Sequence, residues 1–322
     1  MKTAKKLLCI ILGFVMLLPI LSACNSSTGS NETEPNNSNE ATIDPDAPLC
    51  DGKQLKLLTI TSSFGKNTTE FLYDVAKAQG VEDVVVARLY ISGCSLKQHA
   101  ENAKSNIPAY EYTKHSSGNW EKMQNITMEY GLKDEDWDVI FIQQGAAQAP
   151  LANTYGDYID KIVPYVNEKK TNPNARLVWN MTWAYQGDST QTVFVDTFKS
   201  NQMDMYNSIL NTTKEKIVSR TDFAKIIPTG TAVQNARTSY FGDTLTKDTY
   251  HLNNLGRAIA AYTLFSVLTD KELTEINLGP INSYDVPDML ILTEKDKEVI
   301  MECVNNAIKT PFEVTASTYT EK

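Results

Sequence analysis

Leu55-Lys56-Leu57-Leu58-Thr59-Ile60-Thr61-Ser62-Ser63-Phe64-Gly65-Lys66 opens with a short apolar run containing β-branched residues and breaks off in a small polar turn. Such a run reads as a buried strand. Asn67-Thr68-Thr69-Glu70 follows with the pattern of a helix N-cap and a glutamate at the third helical position. Phe71, Leu72, Val75 and Ala76 give that helix its apolar face. Val84 to Ile91 is the next strand, ending in Ser92-Gly93-Cys94-Ser95. Strand, helix and strand joined by short connections imply a parallel pair with a right-handed crossover.

The same alternation continues along the chain. Residues 96–106 read as a helix. Ala109 to Lys114 and Asn119 to Gln124 flank His115-Ser116-Ser117-Gly118 as a hairpin beside the sheet. After a short helix at 126–132, Trp137-Asp138-Val139-Ile140-Phe141-Ile142 is the clearest buried strand, running out into Gln143-Gln144-Gly145. Tyr155, Ile159, Ile162, Val163 and Val166 repeat at helical spacing, with a kink expected at Pro164. Strands at 177–182 and 225–228 and helices near 200–220, 255–268 and 294–309 complete the pattern. It predicts a three-layer α/β/α sandwich around a parallel sheet of about five strands.

The chain begins with a basic segment (Lys2, Lys5, Lys6), an apolar run from Leu7 to Leu21, and Leu21-Ser22-Ala23-Cys24. This reads as a signal peptide over residues 1–23. Its end resembles a bacterial lipobox, which makes Cys24 the lipidated residue and places the protein on the outer face of a bacterial membrane. Residues 24–50 are rich in Asn, Ser, Thr, Glu and Pro and read as a tether. Residues 51–322 are left and suit one large domain or a domain with embellishments. Lys+Arg is 30 against Asp+Glu 39; without the three signal lysines the balance is 27 against 39. So acidic a surface excludes nucleic acid as a partner and leaves the lipid anchor as the membrane contact. Cys50, Cys94 and Cys303 show no metal-type spacing; a Cys50–Cys94 or a Cys50–Cys303 disulfide is open outside the cell.

The chemistry centres on Asp248-Thr249-Tyr250-His251, just before a helix. An acid three residues ahead of a histidine can hold one imidazole nitrogen, fix the tautomer and leave the other nitrogen for a substrate. The chain has three histidines, His99, His115 and His251. His99 reads as a local hydrogen-bonding residue. In an open α/β sheet the active groups gather at the carboxyl ends of the strands, and those ends carry Ser62-Ser63, Gly93, Gln143-Gln144-Gly145 and Thr182-Trp183.

Ser63-Phe64, Gly93-Cys94-Ser95-Leu96 with His99, Trp137-Asp138-Val139 leading into Gln143-Gln144, and Asp248 to Leu252 together resemble the SGNH (GDSL-type) hydrolase superfamily. More narrowly, they resemble an SGNH-like family of gut bacterial surface lipoproteins. The resemblance spans residues 55–268 and implies a flavodoxin-like sandwich, no cofactor and no metal. It implies Ser63 as nucleophile, His251 as base and Asp248 as its orienting acid. The backbone N–H groups of Ser63 and Gly93 become oxyanion donors. Two blocks depart from the family pattern. Thr61-Ser62 stands where Gly-Asp or Gly-Asn is usual, which makes Ser62 a rival nucleophile. Ala147 and Gln148 stand where Asn and Asp belong, and Gln144 is the expected replacement for the missing asparagine donor. Trp183 and Tyr250 are the aromatic residues expected to stack on a sugar. The resemblance implies a surface-anchored esterase acting on an acylated carbohydrate or other small ester, with acetyl as the leading acyl group. A non-catalytic glycan- or partner-binding lipoprotein and an O-acyltransferase on the same site are the other readings.

Overall fold

The computed structural model describes residues 47–321; residues 1–23, read from the sequence as a signal peptide, Cys24 and most of the segment read as a tether lie outside the described residues. Ala47 to Cys50, which composition assigns to the tether, pack on the domain. Leu49 and Cys50 are buried, the Cys50 N–H donates to the Leu268 carbonyl (2.8 Å), and Arg176 Nη1 donates to the Ala47 carbonyl (2.9 Å).

The first strand, β1 (Gln54–Thr61), is buried from Leu57 onward and sits at the centre of the sheet. A short helix α1 (Ser63–Thr68) follows, then α2 (Leu72–Ala78), β2 (Asp83–Tyr90) and α3 (Leu96–Ser105). A hairpin of β3 (Tyr110–His115) and β4 (Trp120–Ile126) leads to α4 (Met128–Lys133) and β5 (Val139–Ile142). Then come α5 (Tyr158–Lys169), β6 (Arg176–Asn180), α6 (Gln202–Lys216), β7 (Phe223–Ile227), α7 (Thr229–Arg237) and α8 (Asn254–Thr269). A second hairpin, β8 (Ile281–Ser283) and β9 (Val286–Leu290), precedes α9 (Glu294–Lys309).

The sheet order is β4-β3-β2-β1-β5-β6-β7. Its five parallel strands, β2-β1-β5-β6-β7, are those expected from the sequence. The β3–β4 hairpin joins them antiparallel through β2, so the sheet has seven strands. The alternation of side chains along β2 separates two cores. Val84 and Val86 face a layer with Phe64, α2 and α8, while Val85, Ala87 and Leu89 face one built with α3, α4 and α5. The result is a three-layer α/β/α sandwich.

Two local expectations give way to the tertiary structure. The N-cap pattern at Asn67-Thr68-Thr69-Glu70 does not start a helix, because α1 has already begun at Ser63 and Asn67 lies inside it. Its cap-type side chains are used elsewhere: Asn67 accepts from the Leu252 N–H, and Thr69 and Glu70 hold Arg88. Helix α5 runs on through Pro164, which sits on its exposed side, where the missing N–H needs no buried partner. Cys50, Cys94 and Cys303 are buried free thiols, so neither disulfide forms. Burial pushes the Cys94 and Cys303 thiols up to about 12, which leaves them unreactive.

Helix α8 is buried almost all round, the mark of a helix running through a core. It nevertheless carries Arg257, whose side chain is 1% exposed. Asp285, in the turn between β8 and β9, meets that guanidinium at 2.6 and 3.0 Å, Ser283 Oγ accepts another of its hydrogens, and Lys247 reaches Asp285 at 2.7 Å. Burial raises the Asp285 carboxyl, but the bonds from Arg257 and Lys247 outweigh it and hold it well below the usual carboxylate range. Replacing Asp285 strands a buried cation. Asp285→Ala should therefore cost about 3 kcal/mol at pH 7, the low end for breaking a buried pair. Because the folded pKa lies below the unfolded value of about 3.9, the contribution is present above that value and lost as pH falls through the folded one. Urea titrations should show the gap between wild type and variant shrinking below about pH 4; a gap independent of pH would refute the assignment.

Candidate active site

The carboxyl ends of the five parallel strands open on one edge of the sheet. The chain turns from β2 back across β1 to β5, so the crevice between the ends of β1 and β5 is the switch point at which such sheets bind ligands. Ser62 and Ser63 follow β1 there, Gln143 and Gln144 follow β5, and Gly93 leaves β2 nearby.

Asp248 and His251 lie in the loop between α7 and α8. The His251 ring meets Asp248 Oδ2 through Nδ1 at 2.8 Å, and the His251 N–H donates to Asp248 Oδ1 at 2.8 Å. Burial pushes the Asp248 carboxyl up, but the two hydrogen bonds from His251 outweigh it and hold the acid below its ordinary range. The acid therefore stays ionised beside the ring, with Nε2 left open. The ring is 19% exposed, so it can be reached from solvent.

The loop is tied to α1 from the far end of the chain. The Leu252 N–H donates to Asn67 Oδ1 at 2.9 Å, and the Phe64 ring meets the His251 ring edge-on, centroids 6.0 Å apart. Phe64 immediately follows Ser63, so the fold brings the serine turn and the histidine together. Among the described residues no hydrogen bond joins either serine hydroxyl to the His251 ring.

The two serines differ in surroundings. Ser62 is 1% exposed, and its Oγ lies 3.4 Å from Gln143 Nε2, which can donate to it. Ser63 is half-buried at the first position of α1. Its N–H and that of Gly93 have no acceptor among the described residues, as oxyanion donors require. Gly93 is exposed with φ +63°, a conformation that favours glycine. Glycine is not needed at position 61, because Thr61 is still part of strand β1 and does not take a positive φ. It is needed at Gly65, where a Cβ would stand 2.0 Å from Thr61 Oγ1.

Gln144 is turned to other work. Its Oε1 accepts from the Leu96 and Gly145 N–H groups (2.8 and 2.9 Å), and its Nε2 faces Thr154. Gln143 is the amide on the serine side. Asn180 Nδ2 donates to Gln143 Oε1 (3.0 Å), and Thr229 Oγ1 donates to Asn180 Oδ1 (2.6 Å). This chain of buried groups at the ends of β5, β6 and β7 fixes which way the Gln143 amide points. Sequence reasoning missed it because each member is an isolated polar residue after a strand.

Trp183 is not a sugar platform: it is fully buried, stacked on Phe64 at 4.0 Å, and its Nε1 donates to the Tyr250 carbonyl (2.8 Å). It holds the histidine loop instead. Tyr250 is half-buried with its ring 4.1 Å from that of His251, so it can meet a substrate. His99 is buried against Tyr110 Oη (3.0 Å), and burial lowers it to about 3; the His115 ring meets that of Tyr73 at a tilt, centroids 3.8 Å apart, and burial lowers it to about 4. Both stay neutral near pH 7.

The family described as Domain of unknown function (DUF4886) matches residues 56–285. A crystal structure of a DUF4886 family protein from Bacteroides uniformis ATCC 8492 is 33% identical, covers 84% of this chain and 100% of its own, and has a TM-score of 0.73. A family 3 carbohydrate esterase from Clostridium thermocellum is 13% identical, over 68% of this chain and 96% of its own, with a TM-score of 0.41. A catalytic mutant of an acetylxylan esterase from Geobacillus stearothermophilus is 14% identical, over 68% and 94%, with a TM-score of 0.40. Likenesses so distant say nothing of activity. The curated proteins contain no match. A family match over more than half its length and a solved relative one-third identical establish that the chain belongs to the DUF4886 family.

Proposed function

We propose that this protein is a serine esterase that removes acyl groups, acetyl first among them, from a carbohydrate, held at the outer face of a bacterial membrane through Cys24. The observation that carries the reading is the bonded Asp248–His251 pair, tied through Leu252 and Asn67 to the helix that begins with Ser63. His251 Nε2 takes the Ser63 hydroxyl proton as Oγ attacks the ester carbonyl carbon. The carbonyl oxygen becomes the oxyanion and meets the Ser63 and Gly93 N–H groups. The intermediate collapses, the sugar alkoxide leaves with the proton from His251, and water attacks the acyl-serine by the same route in reverse. The side-chain donor in this scheme is Gln143 rather than Gln144, and Tyr250 borders the substrate. The lack of a serine–histidine hydrogen bond favours one rival reading, a non-catalytic glycan-binding protein; catalytic bonds of this kind often tighten only with substrate.

The two separate by labelling and turnover on the full-length chain in detergent. A serine-directed phosphonate should label wild type and Ser62→Ala, and Ser63→Ala should abolish labelling. His251→Ala should lower p-nitrophenyl acetate hydrolysis by at least about 10³-fold. No labelling of wild type leaves the binding protein, whereas labelling that persists in Ser63→Ala and is lost in Ser62→Ala moves the nucleophile to Ser62.

Gln143→Ala should lower kcat by about 10–10³-fold with KM little changed, since the contact strengthens in the transition state. Wild-type kcat in that variant would remove Gln143 from the mechanism.

For the anchor, Cys24→Ala should move the protein from the membrane fraction to the medium with the domain still folded by circular dichroism. Unchanged membrane retention would end that part of the proposal.

A further inference from the structure

Strands β2, β3 and β4 pair so that Arg88 lies opposite Thr113, and Thr113 opposite Lys122. Directly opposed residues share a face, so the three side chains form one row across the sheet. They line a cavity of about 300 Å³ with Trp120, Lys66 of α1 and Tyr284 of the β8–β9 turn. Lys66 Nζ donates to Tyr284 Oη at 2.6 Å and sits 5.0 Å over the Tyr90 ring.

The row holds two buried polar groups without partners. Arg88 is 2% exposed: Nη1 pairs with Glu70 (3.0 Å), Nε donates to Thr69 Oγ1 (2.9 Å), and the guanidinium stacks on Trp120 at 3.6 Å. Its Nη2 has no acceptor, and neither does Thr113 Oγ1 have a partner, among the described residues. Glu111 adds a second carboxylate, held by Lys122 at 2.5 Å. Three cations (Lys66, Arg88, Lys122) thus face two carboxylates (Glu70, Glu111), leaving one positive charge in a chain of net charge −9. An unpaired guanidinium N–H beside surplus charge calls for an anionic oxygen, and a half-buried indole offers apolar surface for a ring.

The cavity adjoins the proposed catalytic serine. Lys66 is three residues after Ser63 on α1, a spacing that sets Cβ atoms about 5–6 Å apart on one helix face. Tyr90 ends β2 three residues before Gly93. We propose that the cavity is a subsite for a carboxylate-bearing sugar, a hexuronic acid unit of the glycan whose acyl group reaches Ser63. The carboxylate bonds to Arg88, Lys66 and Lys122, Thr113 Oγ1 donates to a sugar oxygen, and the ring lies against Trp120. Calling this sugar part of a substrate rests on the esterase reading; the binding itself does not.

Methyl β-D-glucuronide and methyl β-D-glucoside differ only in the carboxylate, and neither carries an ester. Calorimetric titration of the full-length chain in detergent should show the glucuronide binding at least about tenfold tighter, as a charge-assisted contact requires. Lys66→Gln and Lys122→Gln should each reduce that preference several-fold, and together abolish it, while circular dichroism stays unchanged. Equal binding of the two glycosides, or a preference unmoved by both lysine variants, would overturn the subsite. Sodium sulfate competing as well as the glucuronide would overturn its sugar specificity. Absence of p-nitrophenyl acetate hydrolysis with the preference intact would count against the esterase alone and support the binding site.

Discussion

A buried asparagine on α1 receives the amide proton of a residue 185 positions later: Leu252 N–H to Asn67 Oδ1, 2.9 Å. Everything proposed for the site depends on that closure, because the serine turn and the histidine loop share no local structure. Asn67 is 4% exposed, so its carbonyl would be left without a partner if the loop moved away. Such a loss costs about 1–3 kcal/mol, comparable to the cost of holding the loop in an unfavourable shape. The loop is indeed strained. Thr249 has φ +73°, where a β-branched residue is rarely found. It is held there by the Gln186 N–H on its carbonyl (2.7 Å) and by its hydroxyl bond to Ser189 (3.1 Å). Strain kept in place by surrounding bonds is common where a side chain must be aimed, and here it lies between Asp248 and His251.

The three histidines show how surroundings decide chemistry. His99 and His115 are desolvated, with no carboxylate among the described residues bonded to the ring, and burial keeps both neutral. His251 alone combines a bonded carboxylate, partial exposure and an open second nitrogen. The polar layer at the strand ends follows the same logic. Gln143, Asn180 and Thr229 are buried, and each satisfies the next, so the layer is rigid and the amide facing Ser62 has one orientation.

The sheet was legible because its strands are short apolar runs with β-branched residues, broken off at polar residues, Gly or Pro. The Asp248–His251 pair was legible because an acid three residues ahead of a histidine is a local pattern. The misreadings arose where a local pattern had a distant use. Asn67 through Glu70 carry a cap signature, yet their side chains bond to Leu252 and Arg88. Gln143 and Gln144 differ by one position, and neighbours at a strand end point to opposite faces. All four residues of β5 are buried, so no polar–apolar alternation told which glutamine faced the serines. Trp183 looked like a platform because it follows a strand end, but its burial depends on Phe64, more than a hundred residues away. The β8–β9 hairpin was not foreseen. Its strands are three and five residues long, and its anchor is an arginine inside an otherwise apolar helix.

Helix α1 concentrates these demands in six residues. Ser63 stands at its start, Gly65 lets it approach Thr61, Lys66 reaches the cationic cavity, and Asn67 holds the histidine loop. A helix this short has no stability of its own, since nucleation is unfavourable and few hydrogen bonds follow it. Its position is therefore set wholly by what it touches: Thr61 beneath, Trp183 against Phe64, and Leu252 against Asn67. The serine's placement is thus a tertiary property, and a change at Gly65 or Asn67 would displace Ser63 without altering any group in the proposed chemistry. The Lys66–Tyr284 bond extends the same dependence to the second hairpin, which is itself held by Arg257 and Asp285. An ion pair between α8 and the β8–β9 turn thereby bears on the shape of a cavity that opens on the β2–β3–β4 side of the sheet.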